Sequence, residues 1–587
     1  MHAMFGPDRH QGKLERYRGW ALYSFCCLLA LGVVLPYAVT GNWPQSHETV
    51  RYPLLIEHFY QAFLAGKWWP RWLPNLDGGY GYAEFVFYQP LFFFLALPFR
   101  LLFGGPVAAA WGAIWVTLAI GACGSLRLCR GGRDPLIGLC GAVLFLLAPY
   151  VYVNWLVRGD LSELLAMAVC PWVLAFYLET LSVQTNTTRR QLPVAMALCL
   201  AAHPLVGIAM GAVLALASLP LLRRGSGRKV LVRLLAAGAL AVGLSSPYWL
   251  PVVSMGATTH LSEAFTWQPA PHAVEIWQFV SDDWNHGLSL PLPHRDGMSF
   301  SLGRVFLGLA LAGCLVGWRV PQTRRLLVVL VGTMLLMTPW LAPAWSLPVL
   351  STFQFPWRLL SVCVALQLGL VRGLGEASQP CRSKVASLCL LIVLVAGWIP
   401  EQFSLPKVLP HAEARVMQAY ARSLDTLSTL DVLAEKRPRT ASQPPSKPLG
   451  SHGLRVIASG GAKVVEASSS DPHSLQYAIL TQRPTVVTIR QFFLPGWSVK
   501  LNGVPVAEET LRRSLHPDGL IRVQVSPRAD GKPVQLLASY GHPRGAVLGY
   551  FLMGLTILCM FGFKRLKEAW ARFATWTRAG SSGLRTA

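Results

Sequence analysis

The sequence is short of charge, and shorter still of acid. Only 14% of its 587 residues are charged while 53% are hydrophobic, and 28 acidic residues face 52 lysines and arginines, a formal charge of +24. That excess sits in short clusters beside apolar runs, such as Arg127, Arg130 and Arg133, or Arg223, Arg224, Arg228 and Lys229. This is the positive-inside pattern of membrane proteins and excludes a nucleic-acid surface as its cause. None of the twelve cysteines falls in the long polar loops; from Cys26 to Cys559 they lie in or next to apolar runs. No disulfide framework follows, and no CxxC metal spacing is present. GxGxxG, GxxxxGK[ST] and GxSxG are absent as well, which argues against nucleotide-driven pumping and serine hydrolysis.

What is present is a series of apolar runs of roughly 16 to 22 residues, where about 18 suffice to cross a bilayer. The chain is a polytopic, mainly α-helical membrane protein. Its basic start (Arg9, Lys13, Arg16, Arg18) precedes an uncleaved-looking apolar run, which reads as a retained signal anchor with a cytoplasmic N-terminus. If the run at 85–103 crosses the membrane, every later arginine cluster falls outside; if it lies in the interface, all of them become cytoplasmic together. It is therefore read as juxtamembrane, in keeping with Tyr82, Tyr88 and Pro90. The run at 192–222, basic at both ends and broken at His203-Pro204, reads as a hairpin. About 12 transmembrane helices result, with external loops at 41–105, 154–163, 251–301 and 344–356 and a large external segment at 402–543.

Three regions follow. Residues 1–401 form the transmembrane domain with first external loop 41–105, 402–543 an external helical linker and β-domain, and 544–587 a last transmembrane helix and cytoplasmic tail. Within the second, 411–436 has an amphipathic helical pattern, 437–450 is a Pro/Ser linker, and 453–540 alternates as seven short strands separated by turns such as Asn502-Gly503. A small antiparallel β-sandwich is expected there.

The first external loop gathers Glu48, Glu57, His58, Asp77 and Glu84 among aromatics, with Arg51, Lys67 and Arg71. A carboxylate just outside a membrane helix can deprotonate or position a hydroxyl, basic residues can hold a lipid phosphate, and aromatics can stack on a sugar. The same composition also suits a solvated loop with an aromatic belt. In the second loop, Arg158, Asp160, Ser162 and Glu163 sit in one turn, where Asp160 or Ser162 can simply cap the next helix. Arg358, after Phe355-Pro356-Trp357, can reach a phosphate or snorkel. His203 is a candidate proton carrier or ligand against the commoner satisfied buried histidine. The loop 251–301 is rich in His, Asp and Glu but lacks HExxH or a comparable metal spacing.

Taken together, His47-Glu48, Gly66, Pro70-Arg71-Trp72, Gly79-Tyr80-Gly81-Tyr82, Phe87-Tyr88-Gln89-Pro90, Arg158-Gly159, Glu163, Tyr248-Trp249-Leu250-Pro251, Phe355-Pro356-Trp357-Arg358 and Pro495-Gly496-Trp497 resemble the bacterial 6-pyruvoyl-tetrahydropterin synthase-related membrane proteins. That family looks like part of the C-type glycosyltransferases (GT-C), and the resemblance covers nearly the whole chain. It implies many transmembrane helices, juxtamembrane segments in the first loop, an external active site, a polyprenyl-phosphate-linked sugar donor, and a glycan, lipid or protein acceptor, in the bacterial inner membrane with site and β-domain on the periplasmic side. Such families usually carry Asp after the first His and a second His four residues further on; here those positions hold Glu48 and Tyr52. By this resemblance Glu48 is the base of an inverting transfer, Glu163 fixes Arg158 or assists the acceptor, and Arg158, Arg358 and more weakly Arg71 hold the donor phosphate. His47, Tyr52, Trp72, Tyr80, Tyr82, Tyr88 and His203 are the substrate-binding candidates. No metal ligand set is assigned, and a divalent metal is optional because a lipid phosphate already leaves well. The rival readings are a non-catalytic scaffold of surface-polysaccharide assembly and a transporter or flippase, the latter disfavoured because the decisive charges cluster outside the spans.

Overall fold

A computed structural model describes residues 9–562, apart from 132–133, 183–187, 224–226, 262, 264–267, 282–283, 292–295, 377–387, 389–406, 426–435, 451–452, 467–472 and 515–516. The chain is mainly helical, with a β-domain near its C-terminus. Among the described residues six helices are long and apolar enough to cross a membrane: Gly19–Ala38, Pro106–Arg130, Leu161–Leu181, Pro204–Leu221, Gly227–Thr258 and Pro356–Glu376. Two bent pairs, Pro135–Leu146 with Pro149–Arg158 and Pro321–Met337 with Pro339–Ser346, bring the number to eight if each pair is one span. Against the expected dozen, Arg190–Ala202 and Arg304–Val316 fall short of the roughly 17–25 residues a span requires, and Ala546–Gly562 is at the lower edge of that range. The expected span at 385–400 and the tail at 563–587 lie outside the described residues.

Leu91–Phe103 has 13 residues, about 20 Å of helix at 1.5 Å per residue, short of a hydrocarbon core of about 30 Å. It packs with Arg51–Leu64 against the buried helix Pro106–Arg130. The two short helices are locked by a buried ion pair, Arg100 Nε to Glu57 Oε2 at 2.7 Å, with the Arg100 guanidinium 4.1 Å from the Tyr60 ring centre. The run 192–222 divides at His203, whose extended backbone (φ −157°, ψ 110°) separates Thr188–Ala202 from Pro204–Ser218. Proline at the first turn of the second helix has no N–H to lose there.

All seven expected strands form. Lys463–Glu466, Ser474–Leu480, Val534–Tyr540, Trp497–Leu501 and the short Val504–Pro505 make one antiparallel sheet in that order, and Val456–Ala458, Thr485–Phe492 and Leu520–Val525 make a second. The alternation is strict along Ser474–Leu480, where Leu475, Tyr477 and Ile479 point inward, and these meet Val487, Ile489, Ile521 and Val523 of the other sheet in one core. Of the amphipathic segment, Ala412–Ala421 is helical and 426–435 lies outside the described residues.

The β-domain is seated on the first loop. Trp72 Nε1 donates to Gln491 Oε1 (2.8 Å), Gln491 Nε2 donates to the Gly79 carbonyl (2.6 Å), and Arg437 grips Asp77 with two bonds of 2.6 Å. Trp72 stacks on Tyr540 and meets Trp497 edge-on. Gly81 lies at the centre of this seat with φ +84°, and a Cβ there would stand 2.5 Å from the Trp72 ring and 2.4 Å from Gln491 Oε1. Gly81→Ala is therefore expected to destabilise the folded protein by roughly 2–3 kcal/mol, combining a left-handed backbone with overpacking. A thermal melt of the variant in lipid nanodiscs measures this, and an unchanged midpoint would refute the seat.

Candidate active site

The first and second loops meet backbone to backbone. His47 N–H donates to the Val157 carbonyl (2.8 Å) and Glu48 N–H to the Arg158 carbonyl (3.1 Å), which lays residues 47–48 along 157–158. Gly159 makes the approach feasible: its φ is +72°, and a Cβ would come within 2.3 Å of Ser46 Oγ and 3.2 Å of Glu48 Cβ. Beyond Glu48 the chain turns through Thr49, at φ +44°, into helix Arg51–Leu64. His47 reaches the other way, with Nε2 3.0 Å from the Gly287 carbonyl.

Two ion-pair groups flank Glu48. In one, Arg51 bridges Glu48 Oε2 (3.2 Å) and Glu84 Oε1 (2.8 Å), and Lys436 Nζ donates to Glu84 Oε2 (3.0 Å). Glu84 is wholly buried, Arg51 and Lys436 nearly so. The Lys436 ammonium stands 4.6 Å from the Tyr88 ring centre and 5.9 Å from that of Tyr82. In the other, Arg158 pairs with Asp160 Oδ2 (3.1 Å) and Glu163 Oε1 (2.9 Å), bonds to Asn154, and covers the Trp357 ring at 4.7 Å. Arg358 Nε approaches Glu163 Oε2 to 3.7 Å, close enough to attract but too far for a hydrogen bond. Four carboxylates are thus matched by four cations, as burial of charge requires. Tyr52 ties the halves together: its hydroxyl donates to Asp160 Oδ1 (3.2 Å), accepts from Ser162 N–H (3.0 Å) and lies 2.7 Å from the Tyr88 hydroxyl.

Asp160 does cap the helix beginning at Leu161, accepting Glu163 N–H at 3.0 Å. Glu163 Oε1 also accepts from Tyr150 and Ser361, both at 2.9 Å. Among the buried polar atoms here without a hydrogen bond are Arg358 Nε, Glu163 Oε2 and His203 Nδ1.

The 6-pyruvoyl-tetrahydropterin synthase related domain of membrane proteins matches residues 85–404. The chain belongs to this family. None of the curated proteins matches it in sequence. Solved structures to which it is similar include the arabinofuranosyltransferase AftD from Mycobacteria, 17% identical over 64% of this chain and 26% of that one with a TM-score of 0.37. Another is an Archaeoglobus fulgidus oligosaccharyltransferase, 12% identical over 73% of this chain and 57% of that one, TM-score 0.40. The chain therefore spans well under two thirds of the length of either.

The residues that carry the family resemblance divide into two places. His47, Glu48, Tyr52, Tyr88, Arg158, Glu163, His203 and Arg358 converge on the network just described, and Tyr82 borders it through Lys436. Trp72 and Tyr80 do not: they seat the β-domain, Tyr80 donating to the Lys447 carbonyl (3.0 Å) and packing on Phe492. Arg71 also stands elsewhere, donating to the Pro247 carbonyl (2.8 Å) and stacked on Trp69 at 3.8 Å. Lys436 was missed. Its one sequence signal is a basic pair, Lys436-Arg437, in a segment expected to be external, where the positive-inside pattern does not call for it.

Asp160, Glu163 and His203 each offer a ligand atom, all within 4.8 Å of one another. They fit a divalent cation poorly. Asp160 Oδ1 takes two hydrogen bonds, Oδ2 is paired with Arg158, and Arg358 faces the remaining Glu163 oxygen. A cation would meet two guanidiniums that already neutralise both acids, whereas an anion would meet two donors.

Burial pushes the Asp160 carboxyl upward, but Arg158, then His203 and Arg358, outweigh it and hold it down at about 2, against an ordinary 3.8. Its charge therefore stabilises the fold fully above 3.8, and that contribution disappears as pH falls through about 2. Asp160→Asn is expected to cost about 2 kcal/mol at neutral pH. Melting curves of the two proteins should lie apart at pH 7 and converge between pH 3.8 and about 2; a gap unaltered by acid would mean the loss is steric.

Proposed function

We propose that this protein is an integral membrane glycosyltransferase of the GT-C type. It transfers a sugar from a polyprenyl-phosphate-linked donor to a glycan, lipid or protein acceptor outside the bacterial inner membrane, with inversion. The observation that carries the reading is the exposure of Glu48. Of the four carboxylates in the network its side chain is 35% exposed, against 16% for Asp160 and none for Glu84 and Glu163. It is the acid that an incoming hydroxyl can meet.

In this mechanism the acceptor oxygen attacks the anomeric carbon as the bond from that carbon to the phosphate oxygen breaks on the opposite face. The hydroxyl proton passes to Glu48, and the electron pair leaves with the polyprenyl phosphate. Arg51 orients the carboxylate. Arg358, whose Nε has no hydrogen bond, meets the phosphate, and Arg158, held by Asp160 and Glu163, adds positive field from behind. An apolar cavity of about 930 Å³ supports a lipid donor. It is lined by Leu91, Phe94, Leu165, Val169 and Trp172, and it begins close in sequence to both Tyr88 and Glu163. Apolar walls of that extent suit an isoprenoid or acyl chain.

Purified protein in nanodiscs, offered radiolabelled polyprenyl-phosphate sugars, should release or transfer sugar. Glu48→Gln should lower kcat by about 10²–10⁴-fold, the range for a general base, with Glu48→Asp retaining part of it. Arg358→Met should act mainly on donor KM, and Arg358→Lys should restore some affinity. Turnover unchanged in Glu48→Gln would refute the assignment of the base. Failure with every donor, in folded protein that still binds the lipid, would favour a scaffold of polysaccharide assembly.

A further inference from the structure

A second, smaller cavity lies in the loop between helices Gly227–Met255 and Arg304–Val316. Its volume is about 180 Å³, room for one sugar ring but too little for a lipid chain. The walls are two indoles, Trp277 and Trp284, the benzyl group of Phe300, and the polar side chains of Asn285, Ser281 and Asp296. Flat apolar faces opposed by amide, hydroxyl and carboxylate groups are what a pyranose or furanose demands: its C–H face lies against an aromatic ring while its hydroxyls need partners around the edge.

The walls are fixed before any ligand arrives. Trp277 sits in the short helix Ile276–Phe279, which is closed by a reciprocal capping box between Glu275 and Gln278. It keeps half of its surface open to solvent, 50% exposed. Gln278 Nε2 donates to Asp296 Oδ2 (2.9 Å), while Ser289 Oγ and Leu290 N–H donate to Asp296 Oδ1 (3.1 and 3.0 Å). The facing strands of the loop are pinned by Gly287 N–H to the Gly297 carbonyl and Gly297 N–H to the Leu288 carbonyl, at 2.7 and 2.8 Å. Asp296 already accepts from three donors, and among the described residues no cationic side chain lines the cavity, which favours a neutral sugar as the ligand.

The loop that holds the cavity is tied to the candidate active site at two points. Gly287, two residues after Asn285, accepts from His47, the neighbour of Glu48. Phe300 stacks on Trp357 (5.8 Å between ring centres), which carries the Arg158 guanidinium and donates to Ser289 Oγ (3.1 Å).

We infer that the Trp277–Trp284–Asn285 cavity is a subsite for one neutral sugar residue of the acceptor glycan, linked to Arg158 through Trp357. This rests on the transferase reading for the word acceptor, but its test needs no turnover. Saturation-transfer NMR on the full chain in nanodiscs, with methyl glycosides of neutral hexoses and pentoses as probes, should detect binding of at least one of them. Trp277→Ala should weaken that binding about tenfold, the worth of one stacking face, and Asn285→Ala should weaken it several-fold at an unchanged melting temperature, which covers the case in which the indole variant unfolds. Binding that survives both substitutions, or no binding of any probe to wild-type protein, overturns the subsite. An inactive protein that still binds sugar through Trp277 leaves the subsite standing and removes only the transferase; an active enzyme that binds none removes only the subsite.

Discussion

Bringing charge out of water is the constraint to which the rest of this structure answers. Glu84 and Glu163 are wholly buried, and an isolated carboxylate in that position would cost several kcal/mol even after relaxation. Each is held by two cations from different parts of the chain: Glu84 by Arg51 and Lys436, Glu163 by Arg158 and Arg358. These pairs decide how the loops lie. Arg51 can reach Glu84 only if helix Arg51–Leu64 starts beside the turn at Glu84–Phe87, and Lys436 only if the segment after 435 descends onto the first loop. The backbone pairing of Glu48 with Arg158 then sets the one exposed carboxylate at the junction of the two groups.

The β-domain belongs to the same system. Asp77 and Arg437 join the first loop to the residue next to Lys436, so the contact that seats the domain and the contact that completes the ion-pair group are adjacent in sequence. Trp72, Tyr80 and Gln491 extend the seat away from Glu48. A domain anchored this way has a physical tie to the site through the adjacent residues Lys436 and Arg437.

The elements most legible in the sequence were those with a local period. Alternation along Ser474–Leu480 and Val534–Tyr540 marked buried and exposed faces because a strand has no other way to place them. The charge count leads to a juxtamembrane reading of 85–103, and the helix there, Leu91–Phe103, has 13 residues, fewer than a straight span needs. The network around Glu48 was legible only as its pieces. Lys436 lies 352 residues from Glu84, and no periodicity spans that distance. Trp72 and Tyr80 read like members of the network for the complementary reason: aromatic residues in one loop look alike whether they face a ligand or a second domain, and here they pack on the second domain, while Arg71 packs on Trp69 and bonds to the Pro247 carbonyl.

The carboxylate at position 48 is where the sequence departs from the pattern it resembles, and the network gives the change a physical meaning. The backbone of residue 48 is held at Arg158 by its own N–H, so side-chain length decides where the charge ends up. The additional methylene of Glu carries it to Arg51, 3.2 Å away, while leaving a third of the side chain in solvent. The Arg51 guanidinium, shared with the fully buried Glu84, is already committed on its other arm. Glu48 therefore receives one long, shared hydrogen bond where Glu163 accepts two from Tyr150 and Ser361 on one oxygen. A carboxylate so lightly held keeps the free lone pairs that the proposed base needs, whereas Asp160 and Glu84 are taken up in holding the arginines and the lysine in place, and the unbonded oxygen of Glu163 is wholly buried.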